Sequence, residues 1–192
     1  MEISRVNEQP HFVIPVHVEF ERFSSGEICV LESIDGKKLY DNSDFGEIAS
    51  ICNQKLVYDF LFKEKLKDRP YTQEDAKDFI SWAQEGWRRN EYFVFLIRNS
   101  RNKIMAAVDI KSNDIKSAEI GYWSSSDTPG IMTNAVTILC TVAMQAGFGE
   151  LYGLTVPNNI RSQNVLSRAG FKNEGNFKQK GKNYFKFTKP LT

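Results

Sequence analysis

Glu119 stands in a run that is otherwise apolar and aromatic, Ala118-Glu119-Ile120-Gly121-Tyr122-Trp123. A carboxylate turned from such a strand into a cleft has its pKa raised by burial and suits accepting a proton, directly or through water. Turned the other way, it is an ordinary edge-strand acid facing solvent. The run leads through Ser124-Ser125-Ser126-Asp127-Thr128-Pro129 into Gly130-Ile131-Met132-Thr133, where an amphipathic helix begins. A helix N-terminus offers unpaired backbone N–H groups and the positive end of the helix dipole, so this strand–loop–helix can hold an anion such as a pyrophosphate. Asp127, Thr128 and Pro129 also suit plain helix-start chemistry, which would make the turn a well-capped helix and nothing more. Farther on, Asn159 precedes a second helical pattern by one residue and Ser162 follows three residues later. Asn159 is a natural N-cap, and a hydroxyl at Ser162 is a proton donor at the same helix end.

Positioning these groups requires a sheet with helices against it. Residues 12–20 alternate as a strand with Ile14, Val16, Val18 and Phe20 on one face, and Pro15, which lacks a ladder donor, points to a sheet edge. A short strand over 28–31 then pairs back as a hairpin. Residues 43–53 carry Phe45, Ile48, Ala49 and Cys52 at helical spacing, while 57–62 reads equally well as strand or helix. Thr72 followed by Asp75 is a near capping box that opens a helix with Ala76, Phe79, Ile80 and Ala83 as its buried stripe, ending near 86–90. Trp82 and Trp87 on that helix are read as core, with a pocket wall as the other reading. Three strands over 92–97, 104–110 and 117–123, joined by short polar loops, form an antiparallel meander. A helix from Ile131 ends at Gly147, a strand covers 151–156, a helix runs to Gly170, and alternation from Phe171 gives a last hairpin with its final strand over 184–187. The fold class is α/β in the α+β sense: a mixed, mostly antiparallel central sheet flanked by helices.

The chain of 192 residues suits one domain, divided as an N-terminal tail and edge strand over 1–23 and a single domain over 24–192. Its 25 basic and 24 acidic residues nearly cancel, so no global field calls for nucleic acid or a membrane as partner. Locally, Lys172, Lys178, Lys180, Lys182, Lys186 and Lys189 face only Glu174 in the last segment, read as the solvated faces of a hairpin or else as an electropositive rim. Cys29, Cys52 and Cys140 are odd in number and far apart, and His11 and His17 have no ligand cluster near them, so neither a disulfide framework nor a metal is expected. The opening residues lack an apolar signal core and no run approaches membrane-spanning length, which makes a cytoplasmic setting the expectation.

Four stretches in order carry a resemblance. They are Pro70-Tyr71-Thr72-Gln73-Glu74-Asp75-Ala76, Ala118-Glu119-Ile120-Gly121-Tyr122-Trp123, Gly130-Ile131-Met132-Thr133-Asn134-Ala135-Val136, and Asn159-Ile160-Arg161-Ser162 with Val165-Leu166-Ser167-Arg168-Ala169-Gly170-Phe171. With these, the chain resembles the GNAT superfamily of N-acetyltransferases, in its RimJ/RimL-like branch, over roughly residues 43–187. The resemblance implies transfer of an acetyl group from acetyl-CoA to a primary amine, at a protein N-terminus or on a small molecule, by direct attack in a ternary complex. It implies cofactor contacts at Tyr122, Trp123, Thr128, Gly130, Ile131, Met132, Thr133, Asn159 and Ser162. It implies Glu119 as base, with Ser162 or Tyr184 protonating the leaving thiolate.

The loop departs from the family pattern, in which Gln or Arg precedes two residues and then glycines. Asp127 brings negative charge, Thr128 a side chain, Pro129 no N–H, and Met132 fills a small-residue slot. A catalytically weak relative that binds or regulates is therefore the alternative reading, with a different acyl donor a third.

Overall fold

The computed structural model describes residues 9–192. The tail expected up to about residue 10 lies almost entirely outside the described residues. Eight strands form one sheet: β1 (His17–Glu21), β2 (Ile28–Ser33), β3 (Phe93–Asn99), β4 (Ile104–Ile110), β5 (Ala118–Ser124), β6 (Glu150–Thr155), β7 (Lys172–Gln179) and β8 (Lys182–Pro190). Their spatial order is β1-β2-β3-β4-β5-β6-β8-β7. Every neighbouring pair is antiparallel except β5 and β6, which run parallel. The helices are α1 (Asn42–Cys52), α2 (Lys55–Leu61), α3 (Lys63–Leu66), α4 (Gln73–Arg89), α5 (Ile131–Gln145) and α6 (Ile160–Arg168).

The expected mixed sheet, edge hairpin and three-stranded meander are all present. The first strand is shorter than its alternation suggests: residues 12–16 lie outside the ladder, and Phe12 packs against the rings of Trp87 and Phe93 at 5.0 and 4.5 Å. Pro15, having no N–H to give a neighbour, falls in this unpaired stretch. The undecided segment 57–62 is helical, with Val57 turned inward and Phe60 and Leu61 partly exposed. The final strand extends well beyond 184–187, because β8 pairs with β6 on one side and β7 on the other.

The sheet is covered on both sides. Phe93, Phe95 and Ile97 of β3 join Val108, Ile120 and the buried stripe of α5 in one cluster. Val94 and Leu96, pointing the opposite way, join Ala107, Trp123 and the inner faces of α1 and α4 in the other. Coverage of both faces is why β3 reads as an unbroken apolar run. The capping box of α4 forms as expected: the Asp75 N–H donates to Thr72 Oγ1 at 3.2 Å and the Thr72 N–H to Asp75 Oδ2 at 2.8 Å. Such a cap contributes about 1 kcal/mol. Arg69 grips the same carboxylate at 2.6 and 2.7 Å and holds the Asp75 pKa far below the ordinary carboxyl range.

Candidate active site

The sequence forces two parallel strands together where the meander meets β6, and they stay together only briefly. Ala118, Glu119 and Ile120 pair with Leu151, Tyr152 and Gly153, while β5 continues to Ser124 and β6 to Thr155 without further pairing between them. Beyond Ile120 and Gly153 each strand keeps only its outer neighbour, β4 or β8. Backbone N–H and C=O groups along the parted edges are then available to an extended ligand, as they are at any open sheet edge.

Tyr122 and Ser162 meet at this parting. The Tyr122 hydroxyl lies 2.7 Å from Ser162 Oγ and also donates to the Ser162 carbonyl at 3.2 Å. Burial pushes the Tyr122 phenol far up, so it is held as a proton donor. Asn159 caps α6, its side-chain oxygen accepting the Ser162 N–H at 3.1 Å. The cap thus uses the amide oxygen of Asn159 and fixes the helix end that carries Ser162. Sequence reading placed Ser162 at a helix head but gave no sign of its link to Tyr122, forty positions away.

Alternation separates Tyr122 from its neighbour. Trp123 points to the opposite face, its indole buried beside Phe79 at 6.1 Å between the rings, so only its backbone borders the parting. Tyr184 sits on β8 opposite Phe177 and, among the described residues, shares no hydrogen bond with Glu119, Tyr122 or Ser162. Of the two tryptophans on α4, Trp87 is core and donates to the Val94 carbonyl at 2.9 Å. Trp82 is 45% exposed and stacks on Tyr92 at 4.5 Å.

Glu119 projects to the same face as Trp123, with a side chain 18% exposed, and its carboxylate receives the Lys111 ammonium. The expected unpaired carboxylate against an apolar wall is therefore not found at Glu119, because register brings Lys111 alongside it through the Lys111 N–H to Glu119 carbonyl bond at 2.8 Å. The desolvated carboxylate is Asp109, two residues before Lys111 and directly across from Gly121. Burial raises its pKa, opposed by Lys111 and by the Gly121 N–H, and Glu119 adds to the rise. Asp109 Oδ1 is buried without a hydrogen-bond partner. Gly121 leaves the room this carboxylate occupies: a Cβ there would stand 2.5 Å from Asp109 Oδ1 and 2.8 Å from Lys111 Cε.

The turn into α5 is built differently from a capped helix. Asp41, Thr72 and Asn159 cap α1, α4 and α6 through their side chains, whereas α5 starts from Gly130 at φ +86° with no side-chain cap. Neither Asp127 nor Thr128 takes that place. The Thr128 hydroxyl donates to the Ser125 carbonyl at 3.0 Å, and the Asp127 carboxylate accepts from Gln54 Nε2 at 3.4 Å and Ser125 Oγ at 3.5 Å. Gln54 also accepts the Ser126 N–H at 2.6 Å, so the residue just before α2 pins the loop. The side chains of Ile131 and Met132 are in the core, which leaves their backbone as the part able to meet a ligand. From the other side Arg22, on the turn after β1, donates to the Pro129 carbonyl at 2.8 Å. This cation beside the α5 N-terminus, 107 positions from the loop, is invisible to any local motif. An uncapped helix start with a cation next to it fits a pyrophosphate.

Four of the six C-terminal lysines are engaged at separate places. Lys172 pairs with Glu174 and Lys182 with Glu64 of α3, Lys189 donates to the Ala169 carbonyl, and Lys186 lies 4.6 Å over the Tyr152 ring. The three cysteines are free and buried. No group of three or more potential metal ligands occurs among the described residues, and none of their helices is long and apolar enough to cross a membrane.

A model of the acetyltransferase (GNAT) domain matches residues 38–172. No curated protein sequence matches the chain. Among solved structures, the chain is similar to the ribosomal-protein-S5-alanine acetyltransferase of Vibrio fischeri, at 22% identity, 92% coverage of this chain, 97% of that one and a TM-score of 0.68. It is similar to Mycobacterium smegmatis RimJ in complex with CoA-disulfide, at 17% identity, 92% and 88% coverage and a TM-score of 0.73. It is also similar to RimL, a ribosomal alpha-N-protein acetyltransferase in complex with coenzyme A, at 20% identity, 84% and 94% coverage and a TM-score of 0.67.

Proposed function

The chain belongs to the GNAT acetyltransferases, and on that premise we propose that it transfers the acetyl group of acetyl-CoA to a primary amine by direct attack in a ternary complex. The observation that carries this reading is the Tyr122–Ser162 hydroxyl pair, 2.7 Å apart, at the point where β5 and β6 part. Glu119, three residues earlier on β5 and on the opposite face of the sheet from that pair, takes a proton from the attacking amine, which reaches the thioester from that side of the gap between the strands. The amine nitrogen forms the new C–N bond, the thioester C–S bond breaks, and Ser162, backed by the Tyr122 hydroxyl, returns a proton to the thiolate. Tyr184 has no connection to this pair and is the weaker candidate for that donor.

The open edge of β5 past Ile120 and the amide of Asn159 hold the pantetheine arm. Backbone N–H groups of Gly130, Met132 and Thr133 hold the pyrophosphate, the Ile131 N–H being given to the Thr128 carbonyl, and Arg22, which also pairs with Glu27 at 3.6 Å, offsets part of the charge that Asp127 brings. Thr128 serves through its place in the loop, its hydroxyl already engaged. The acceptor is a protein N-terminus or a small-molecule amine. Ribosomal-protein acetyltransferases among the similar structures favour the first. Three buried free thiols accord with a reducing cytoplasm as its setting.

Calorimetric titration with acetyl-CoA tests the cofactor half of this reading and separates it from a fold kept for binding or regulation alone. Saturable binding, with a matching rise in melting temperature, is expected. No heat and no thermal shift at millimolar acetyl-CoA would sink the enzyme reading.

A further inference from the structure

Two carboxylates and one ammonium share the sheet face at the foot of the parting strands. Lys111 Nζ sits on the Glu119 carboxylate, while Asp109, on the same face two residues earlier, keeps Oδ1 buried and unpartnered. With both carboxylates ionised, the triad is one positive charge short. The missing cation has the chemistry of the group an acceptor brings, an alkylammonium that must meet Glu119 before it can lose a proton. Lys111 already offers Glu119 an alkylammonium of its own, so an acceptor arriving at that carboxylate meets an occupied seat.

The geometry also supplies the place to which Lys111 can retreat. The bare Cα of Gly121 lets Asp109 Oδ1 and Lys111 Cε approach the same point, within 2.5 and 2.8 Å of where a Cβ would stand. Lys111 Nζ is one bond beyond Cε, so rotation about the last bonds of the side chain carries the ammonium from Glu119 toward Asp109. Lys111 is 46% exposed and free to make that movement, whereas Asp109 is fixed in the strand. Desolvation makes an unpaired Asp109 carboxylate costly, and an approaching ammonium relieves that cost. The other titratable group facing Lys111 is Tyr152, across from Glu119, and over the Tyr152 ring lies the Lys186 ammonium at 4.6 Å.

We infer that Lys111 is a built-in occupant of the acceptor-amine seat on Glu119, and that Asp109 receives its ammonium when an acceptor displaces it. Lys111 and Asp109 are then positioning residues that set which amines enter: a cation able to displace a tethered ammonium succeeds, and a weakly basic amine does not. This rests on the reading of Glu119 as the proton acceptor.

The test uses n-butylammonium as the probe, followed through the amide signals of Glu119 and Gly121 by NMR. An alanine-initiated tetrapeptide serves as acceptor in a thiol-release assay. In Lys111→Met the seat is empty, so the probe should saturate at a concentration lower by up to about fivefold, the scale of a half-exposed ion pair. The KM for the peptide should fall by a similar factor with acetyl-CoA affinity and melting temperature held. Lys111→Arg should restore the wild-type values, and Asp109→Asn, which removes the retreat, should raise the KM. Equal or weaker probe binding in Lys111→Met, or no response at these amides in either protein, overturns the inference. If Glu119→Gln turns over as fast as wild type, the reading of Glu119 has failed instead, whatever Lys111 does.

Discussion

Two clusters of charge are set into the same face of the sheet, and they are finished to different standards. At one, Arg98 of β3 is 2% exposed and every nitrogen of its guanidinium is engaged: Nε with Glu32 at 2.6 Å, Nη1 with the Asn102 carbonyl at 2.8 Å, and Nη2 with Asp44 of α1 at 2.8 Å. Lys38 adds a second cation to Glu32 at 3.0 Å. At the other, Asp109, Lys111 and Glu119 hold one ion pair and an orphaned carboxylate oxygen. A buried charge with all its partners ties α1 to the sheet and has nothing left to offer a ligand. A cluster left one partner short, beside a gap between strands, is where a ligand has something to add.

The largest effect that sharpens this contrast is expected at Arg98. Arg98→Ala leaves Asp44 without its cation and Glu32 with Lys38 alone, and should cost about 3–5 kcal/mol of stability in urea unfolding, with acetyl-CoA affinity unchanged in whatever protein remains folded. A loss under 1 kcal/mol would remove the scaffold role.

Two glycines give the next test. Gly86→Ala places a Cβ 2.2 Å from the Tyr92 ring and 2.6 Å from the Tyr92 carbonyl, which cannot yield, and should cost about 1–3 kcal/mol. Gly121→Ala meets instead the partnerless end of Asp109 and should cost less stability but raise the KM for an amine acceptor. Equal melting temperatures with unchanged KM for Gly121→Ala would remove the link between Gly121 and the unpaired end of Asp109.

The smallest effect belongs to the loop. Asp127→Asn should tighten acetyl-CoA about threefold to fivefold in calorimetry, the scale of one exposed charge, and Arg22→Ala should loosen it by a similar factor. Affinity that moves the other way for either variant contradicts the account of the α5 N-terminus.

What could be read from the sequence follows how far apart the partners lie. The start of α4 was legible because Thr72 and Asp75 satisfy one another across three residues. The meander was legible because its turns are short and polar. The segment 57–62 was not, since a short apolar run has no period of its own to tell helix from strand. At the site, residue types were legible and pairings were not. The strand carrying Glu119 was visible, but its contact with Lys111 depends on cross-strand register, as does the place of Asp109 opposite Gly121. Tyr122 with Ser162 and Arg22 with Pro129 meet only after the whole sheet is assembled. Asp127, Thr128 and Pro129 looked like an anion site overwritten by a cap, yet none of them caps the helix.

The central claim is that Glu119 accepts the proton in acetyl transfer, and turnover of Glu119→Gln beside its acetyl-CoA affinity tests it most directly. With acetyl-CoA and a panel of primary amines, thiol release should fall about 100-fold or more, the usual contribution of a general base, while calorimetric affinity for acetyl-CoA stays within twofold of wild type. Undiminished thiol release from Glu119→Gln would contradict the account.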